Sequence, residues 1–255
     1  MARLASGSRT PRQASVGDYE PDNLLDRRSQ RATLELHYEH MRVRERELLA
    51  GRLPAGGDVL SVGCGWNPGR HIFPQPQWRM TGVELTDEKP SALVTDGTLE
   101  AGLAGSAGAL ELPAGSFDAV LYRLVLHHVA WQGPLAPVFE EAVRLLRPGG
   151  VLVAVEPGSW HPIGAALALA NATGLGPAVH GTPDDVPLSP LRLRDEALVA
   201  GMTVQLHAVD YGWRRLPPRV QRALWPLDRA LGSRLRAARF GHTLMLIARR
   251  RPGLS

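Results

Sequence analysis

The sequence predicts an α/β domain built on a mostly parallel sheet with helices on both faces. Short, nearly continuous apolar runs alternate with amphipathic segments through the first two thirds of the chain, the pattern of strands buried on both sides by crossover helices. Turn-forming clusters separate them, Pro54-Ala-Gly-Gly57 ahead of the first run and Pro148-Gly149-Gly150 ahead of the fifth. With 255 residues, 44% of them hydrophobic, the chain can bury a real core and is too apolar for a disordered one.

Taken in order, residues 1–20 read as a disordered tail, basic and polar but without the apolar stretch of a secretory signal. Residues 22–52 carry Leu34, Tyr38, Met41, Leu48 and Leu49 near one helical face. Strands are expected over 58–63, 79–84, 117–123 and 151–156, with a weak candidate at 101–105 and a helix over 137–147. The last third differs: an Ala-rich helix over 163–173, a Pro- and Asp-rich loop over 181–190, and a helix over 191–200 ended by Gly201. An alternating strand over 202–210, a helical stretch over 218–239 broken at Pro226, and a strand over 242–249 complete it. Two late strands separated by one insertion suggest an antiparallel edge. The domain reading is therefore a tail over 1–20, a helical cap over 21–54, one domain over 55–250, and a tail over 251–255. No repeat of 20–50 residues is present.

Composition removes several function classes. A single cysteine, Cys64, excludes an internal disulfide, a multi-cysteine zinc site and an iron–sulfur centre, and it fits a reducing, cytoplasmic setting. The stretch from Pro157 to Pro183 is uncharged, but its prolines, glycines and two histidines make it no bilayer helix. Net charge is +4, yet residues 211–255 hold eleven arginines against one acid, Asp228. That basic end reads first as a solvated helix face with a polar terminus, so nucleic acid is disfavoured as a partner. No His, Asp or Glu spacing suggests a metal site. The oligomeric state stays open, a dimer included.

The segment Val59-Leu-Ser-Val-Gly63-Cys-Gly65 ends a strand in a glycine turn. Glycines there let backbone approach a ligand closely, and amides at the following helix start favour an anionic group. Glu84 ends the next strand, 21 residues after Gly63, where a carboxylate can accept both hydroxyls of a ribose. Together they indicate a nucleoside-containing ligand at the switch point of the sheet. Pro68 stands where a dinucleotide turn places its third glycine, which disfavours a pyrophosphate ligand and with it a nicotinamide oxidoreductase.

At this point the sequence resembles the class I S-adenosylmethionine-dependent methyltransferases, in particular the methyltransferase-11 group with its quinone-biosynthesis and natural-product enzymes. The matching segments are VLSVGCG (59–65), TGVELT (81–86), residues 105–129 and RLLRPGGVLVAVEP (144–157), in the family's order and spacing. With the strands already found, the resemblance implies a Rossmann-like sheet of seven strands, one of them antiparallel. It implies S-adenosylmethionine as cofactor, with Val62, Gly63, Cys64 and Gly65 holding its methionine part, Glu84 the ribose and Leu85 packed on adenine. Gly105-Ser106-Ala107 matches the adenine-edge segment, with Ser106 where an acid is common; Asp96 is the alternative acid. Ser61 and Asn67 are further departures, at positions where relatives carry an acid and a glycine. Tyr122 and Arg123 end the fourth strand beside the cofactor's methionine end.

Transfer of a methyl group to an alcohol or phenol is helped by a base. His127 and His128 follow the fourth strand and Glu156 ends the fifth, so these three are the candidate catalytic residues, although one of a consecutive histidine pair usually packs inward. Tyr38 on the cap helix, Arg123, Trp160 and His161 are candidate acceptor-pocket residues, and the resemblance, in which this helix often lids the site, adds His37 and His40 beside Tyr38 as candidate contacts. Segments 157–189 and 212–240 vary the acceptor pocket in this family and are apolar here, which suits a small or medium, partly hydrophobic molecule or ordinary core. Rival readings are a cofactor-binding protein without catalysis and an RNA methyltransferase. The second lacks an Asn-Pro-Pro-Tyr-like tetrapeptide after the fourth strand, where the chain reads Tyr-Arg-Leu-Val.

Overall fold

β1 (Gly57–Val62) lies inside the sheet, paired in parallel with β2 (Trp78–Glu84) on one side and β4 (Phe117–Arg123) on the other. β3 (Ala101–Ala104) adds to β2, and β5 (Leu146–Pro157) adds to β4, both in parallel. β7 (Thr243–Arg250) then runs antiparallel between β5 and β6 (Met202–Asp210). The computed structural model describes residues 31–175 and 186–251, and among these the sheet has seven strands in the order β3-β2-β1-β4-β5-β7-β6. The expected tail over 1–20, residues 252–255 of the expected tail over 251–255, residues 21–30 of the cap, and the first half of the 181–190 loop lie outside the described residues. No helix among those described is long and apolar enough to cross a membrane.

Strand alternation sorts the side chains into two cores. Leu60, Val120, Tyr122, Leu152 and Leu246 face one side, where α4 (Ala136–Leu145) packs Phe139 and Leu145 and α6 (Pro190–Val199) packs Leu193. Val59, Leu121, Val153, Val155 and Met245 face the other, covered by Met41, Leu48 and Leu49 of α1 (Arg31–Leu49) and by Leu93 of α2 (Glu88–Thr95). Each such large side chain, removed from water, contributes about 1.5–3 kcal/mol. α3 (Leu126–Gln132) follows β4 directly, α5 (Pro162–Ala172) follows β5, and α7 (Pro218–Leu231) and α8 (Leu235–Ala238) lie between β6 and β7.

Three local expectations are corrected and a fourth, the weak third strand, is met; the helix expected to follow the β1 turn is absent, residues 63–77 forming turns instead. β5 begins at Leu146 rather than 151, because Leu146 already pairs with Phe117 and the Pro-Gly-Gly turn is absorbed as a register shift. The helix over the late insertion runs through Pro226 and stops at Gly232. Pro226 and Arg222 are both exposed, so the carbonyl freed by the proline can be met by water. Gly232 is the true break: its carbonyl accepts from Ala208 N at 2.8 Å, and a Cβ there would stand 2.5 Å from Ala208 O. The weak third strand is real but short and mostly exposed. Its register rests less on side-chain burial than on Glu100, just before it, which takes both Arg70 and the Met80 amide.

α1 is fastened over the carboxyl ends of the strands by buried polar contacts. Glu45, fully buried, accepts from Arg123 Nη2 at 3.1 Å and Nε at 3.2 Å and pairs with His71. His40 Nε2 meets Asp228 Oδ2 of α7 at 2.6 Å and stacks on Trp225 at 4.5 Å, while Arg44 donates to the Asp228 carbonyl. Burial pushes the Glu45 carboxyl up, but Arg123 and His71 outweigh it and hold the group at about 2, against an ordinary 4.5. A depressed carboxyl binds more protons unfolded than folded, so its contribution is complete above about 4.5 and is lost as pH falls toward 2. Glu45→Gln leaves Arg123 buried without its anion and is expected to cost about 3–5 kcal/mol. Urea unfolding should show that loss at pH 7, together with a shallower acid-side loss than in the wild type. An unchanged midpoint would contradict it.

Candidate active site

The strand order reverses between β1 and β4, and at the carboxyl ends of these strands lies a cavity of about 820 Å³. It is large for a small-molecule site. Its floor is the turn after β1. Gly63 and Gly65 have φ of +64° and +50°, conformations that side chains disfavour. Gly63 also has no room for a side chain, since a Cβ would stand 2.3 Å from Val125 Cγ2. Gly65 is different: a Cβ there meets only Glu84 Oε1, at 4.0 Å. Glu84 accepts from Gly65 N at 2.7 Å, which ties the β2 end to the turn. Cys64 is buried, and burial with the nearby Glu84 pushes its thiol to about 12, so it serves as packing and not as a nucleophile.

The loop after β3 forms one wall. Gly105 N donates to Glu84 O at 2.8 Å, and Ser106 pairs across a tight turn with Ala109. Glu141 accepts from Leu110 N, and Arg144 bonds the carbonyls of Leu110 and Leu112. The loop is thereby pinned to α4. Asp96 stays at the end of α2, accepting from Thr98 N, outside the cavity lining.

The opposite wall comes from the turn between β4 and α3. Leu124 takes φ +58°, an uncommon conformation for a branched side chain, and it lines the cavity with Val125, His127 and His128. Glu156, fully buried, holds this turn: one oxygen accepts from Val125 N at 3.0 Å and Leu126 N at 2.8 Å, the other meets His127 Nδ1 at 2.6 Å. An anion at a helix start satisfies amides that have no partner within the helix. The imidazoles of His127 and His128 lie 4.0 Å apart.

Of the residues expected to contact cofactor, Val62, Gly63, Cys64, Gly65, Glu84, Leu85, Ser106 and Ala107 line the cavity. Ser61 and Tyr122 do not. Ser61 is buried within β1 between two paired strands. Tyr122 points into the core against α4, its hydroxyl donating to Val138 O at 3.3 Å. Of the expected acceptor residues, Tyr38 and Arg123 line the cavity and Trp160 and His161 stand outside it. Trp160 packs on Phe240. His161 caps α5 through Ile163 N and bonds Tyr211 O at 3.2 Å; burial, with His242 beside it, holds its imidazole near 4. Glu156 lies beneath the wall rather than on it. Among the described residues, segments 157–189 and 212–240 contribute Pro157 and Arg214.

A second polar group stands at the far end; of its members the sequence offered only His37, on the cap helix, and missed Asp210 and His242, while His40 stands outside the cavity lining. His37 of α1 and His242, just before β7, both line the cavity, and Asp210 at the end of β6 lies behind them. His37 Nε2 is 3.6 Å from Asp210 Oδ2, and His242 Nδ1 is 3.6 Å from Asp210 Oδ1. Burial holds His37 near 4 despite Asp210. These residues come from three elements far apart in the chain, so no local spacing could announce them. Lys89, Trp66 and Gln132 also line the cavity without any motif signal.

Residues 60–154 match the family described as methyltransferase domain. Among curated proteins none matches the chain. Solved structures similar in fold include a SAM-dependent methyltransferase of Thermotoga maritima, 15% identical, with a TM-score of 0.60 over 86% of this chain and 92% of that one. A SAM-dependent methyltransferase of Methanosarcina mazei is 16% identical, with a TM-score of 0.58 over 80% and 97%. The [4+2]-cyclase SpnF is 20% identical, with a TM-score of 0.54 over 82% and 80%. Residues 60–154 thus carry a segment that matches a methyltransferase domain, and the described residues share their fold with solved SAM-dependent methyltransferases.

Proposed function

We propose that the chain transfers the methyl group of S-adenosylmethionine to an oxygen of a small or medium, partly hydrophobic molecule. The observation that carries this reading is one cavity holding both a nucleoside-type cradle and a histidine oriented by a buried carboxylate. The cradle fits the cofactor. Gly65 leaves open the space a Cβ would take, Glu84 has an oxygen beyond its bond to Gly65 for ribose hydroxyls, and Leu85, 72% exposed, offers an apolar face for a purine. Ser106 and Ala107 border the adenine edge, and Val62 through Gly65 border the methionine end.

When bound, the cofactor would supply an electrophilic methyl on a sulfonium, whose thioether is the leaving group as the acceptor oxygen takes the methyl in line. The protein's task is to position the acceptor and take its proton. With Nδ1–H directed to Glu156, His127 keeps Nε2 as the basic nitrogen. Glu156 is a positioning residue that fixes the ring and the turn bearing it. His128, beside it, is the alternative base. Tyr38, Met41 and Val129 give the acceptor an apolar border, and Arg123 is already engaged by Glu45. Because a fold neighbour is a cyclase, fold alone does not establish transfer.

Tritium-labelled methyl donor incubated with a panel of phenols, polyketide-like alcohols and glycosides should place label on oxygen. Label on amines, thiols or RNA alone would contradict the reading. His127→Gln should slow turnover about 10²-fold or more while affinity for S-adenosylhomocysteine is kept. The glycines give a separate test. Gly65→Ala should weaken S-adenosylhomocysteine at least tenfold in calorimetry, with a stability loss near the ~1 kcal/mol of its backbone conformation. Gly63→Ala should lower stability by more than that, because its Cβ meets Val125.

A further inference from the structure

We propose that His37, Asp210 and His242 form a binding site for one divalent transition-metal ion of the zinc type at the acceptor end of the cavity. Two imidazoles and one carboxylate are a donor set that suits such ions, whereas magnesium and calcium prefer oxygen. All three ligand atoms lie within 4.8 Å of one another.

The spacing distinguishes this group from the other buried histidine–carboxylate pairs of the same chain. His127 with Glu156 and His40 with Asp228 both stand at 2.6 Å, in direct hydrogen bonds. In the triad His37 Nε2 stands 3.6 Å from Asp210 Oδ2 and His242 Nδ1 3.6 Å from Asp210 Oδ1, so an ion between the rings would meet both carboxylate oxygens; Thr243 Oγ1 lies 3.4 Å from the same His242 nitrogen. Atoms bound to one ion at about 2.0–2.1 Å are separated by roughly 3.3–3.6 Å at tetrahedral to trigonal angles. Asp210 is 1% exposed, and its Oδ2 has no hydrogen-bond partner among the described residues. A buried carboxylate oxygen left without a donor is costly, and a cation between it and the two imidazoles removes that cost.

The surroundings are built. Thr243 N donates to Asp210 Oδ1 at 3.2 Å and His242 N to the Asp210 carbonyl at 2.9 Å, so the register of β6 and β7 sets two of the ligands. The ring of His161 stands edge-on to His242 at 5.1 Å. The third ligand arrives with α1, which the Glu45 and Asp228 contacts hold in place. His37, His242 and Thr243 border the cavity, so the remaining coordination positions face it. Three protein ligands with an open position are the arrangement of a reactive rather than a purely structural zinc. That the open position meets an acceptor oxygen rests on the methyl-transfer reading; the site itself does not.

The test is titration of the chelator-treated full chain with cobalt(II). Visible absorption saturating at one equivalent, displaced by zinc, is expected. It should persist in His128→Gln and fall at least tenfold in affinity in Asp210→Asn and His242→Gln. S-adenosylhomocysteine binding by the same samples reports whether each variant is folded, and keeps failure of this site distinct from failure of the methyltransferase reading. X-ray absorption of the zinc-loaded wild type, which needs no variant, should show two imidazoles. Absence of saturable cobalt binding, binding that survives loss of Asp210 and His242, a zinc spectrum without two imidazoles, or a response to magnesium alone would each overturn the proposal.

Discussion

The buried pair of Glu45 and Arg123 is the interaction on which the site depends. Arg123 ends the central strand β4, and Glu45 sits in the last turns of α1, both almost fully withdrawn from water. Neither charge could be buried alone, because an unpaired ion in the interior is far costlier than a polar contact. The pair therefore fixes where α1 crosses the strand ends. That placement brings Tyr38, Met41 and His37 to the cavity, so the roof of the site follows from an ion pair outside any recognisable motif. His40 with Asp228, and Glu47 with Arg229 at 2.8 Å, extend the attachment to α7.

Carboxylates at the ends of three strands divide the work below that roof. Glu84 on β2 binds the glycine turn and lines the cavity. Glu156 on β5 gathers the amides at the start of α3 and orients His127. Asp210 on β6 lies between two imidazoles with one oxygen unpartnered. All three stand at the carboxyl ends of their strands, and each differs in what it is offered: a glycine amide, a helix start, or a pair of histidines. The chemistry assigned to each follows from those partners and not from its residue type.

Much of this was legible in the chain. The parallel sheet was readable because its strands are short, apolar and β-branched. Gly63, Gly65 and Glu84 were readable because a glycine turn and an acid one strand later are local signals. The antiparallel β7 followed from two late strands joined by an insertion. Tyr122 and Arg123 could not both reach the cavity, since alternation sends neighbours to opposite faces; the structure turns Tyr122 into the core. Trp160 and His161 mark a second kind of error. They belong to a segment whose described residues border the cavity only through Pro157, and the termination of β5 ahead of α5 carries them past it. The pairing of Glu45 with Arg123, and of His37 with Asp210 and His242, had no sequence signal at all. Each joins elements that meet only after the sheet has assembled.

The most direct test of the central claim, that this cavity holds the cofactor through the β1 turn and Glu84, is calorimetric titration with S-adenosylmethionine and S-adenosylhomocysteine. One-to-one binding in the micromolar range is expected for the wild type, weakened at least tenfold, about 1.4 kcal/mol, in Glu84→Ala. No heat with either ligand, or equal affinity in the wild type and the variant, would contradict it.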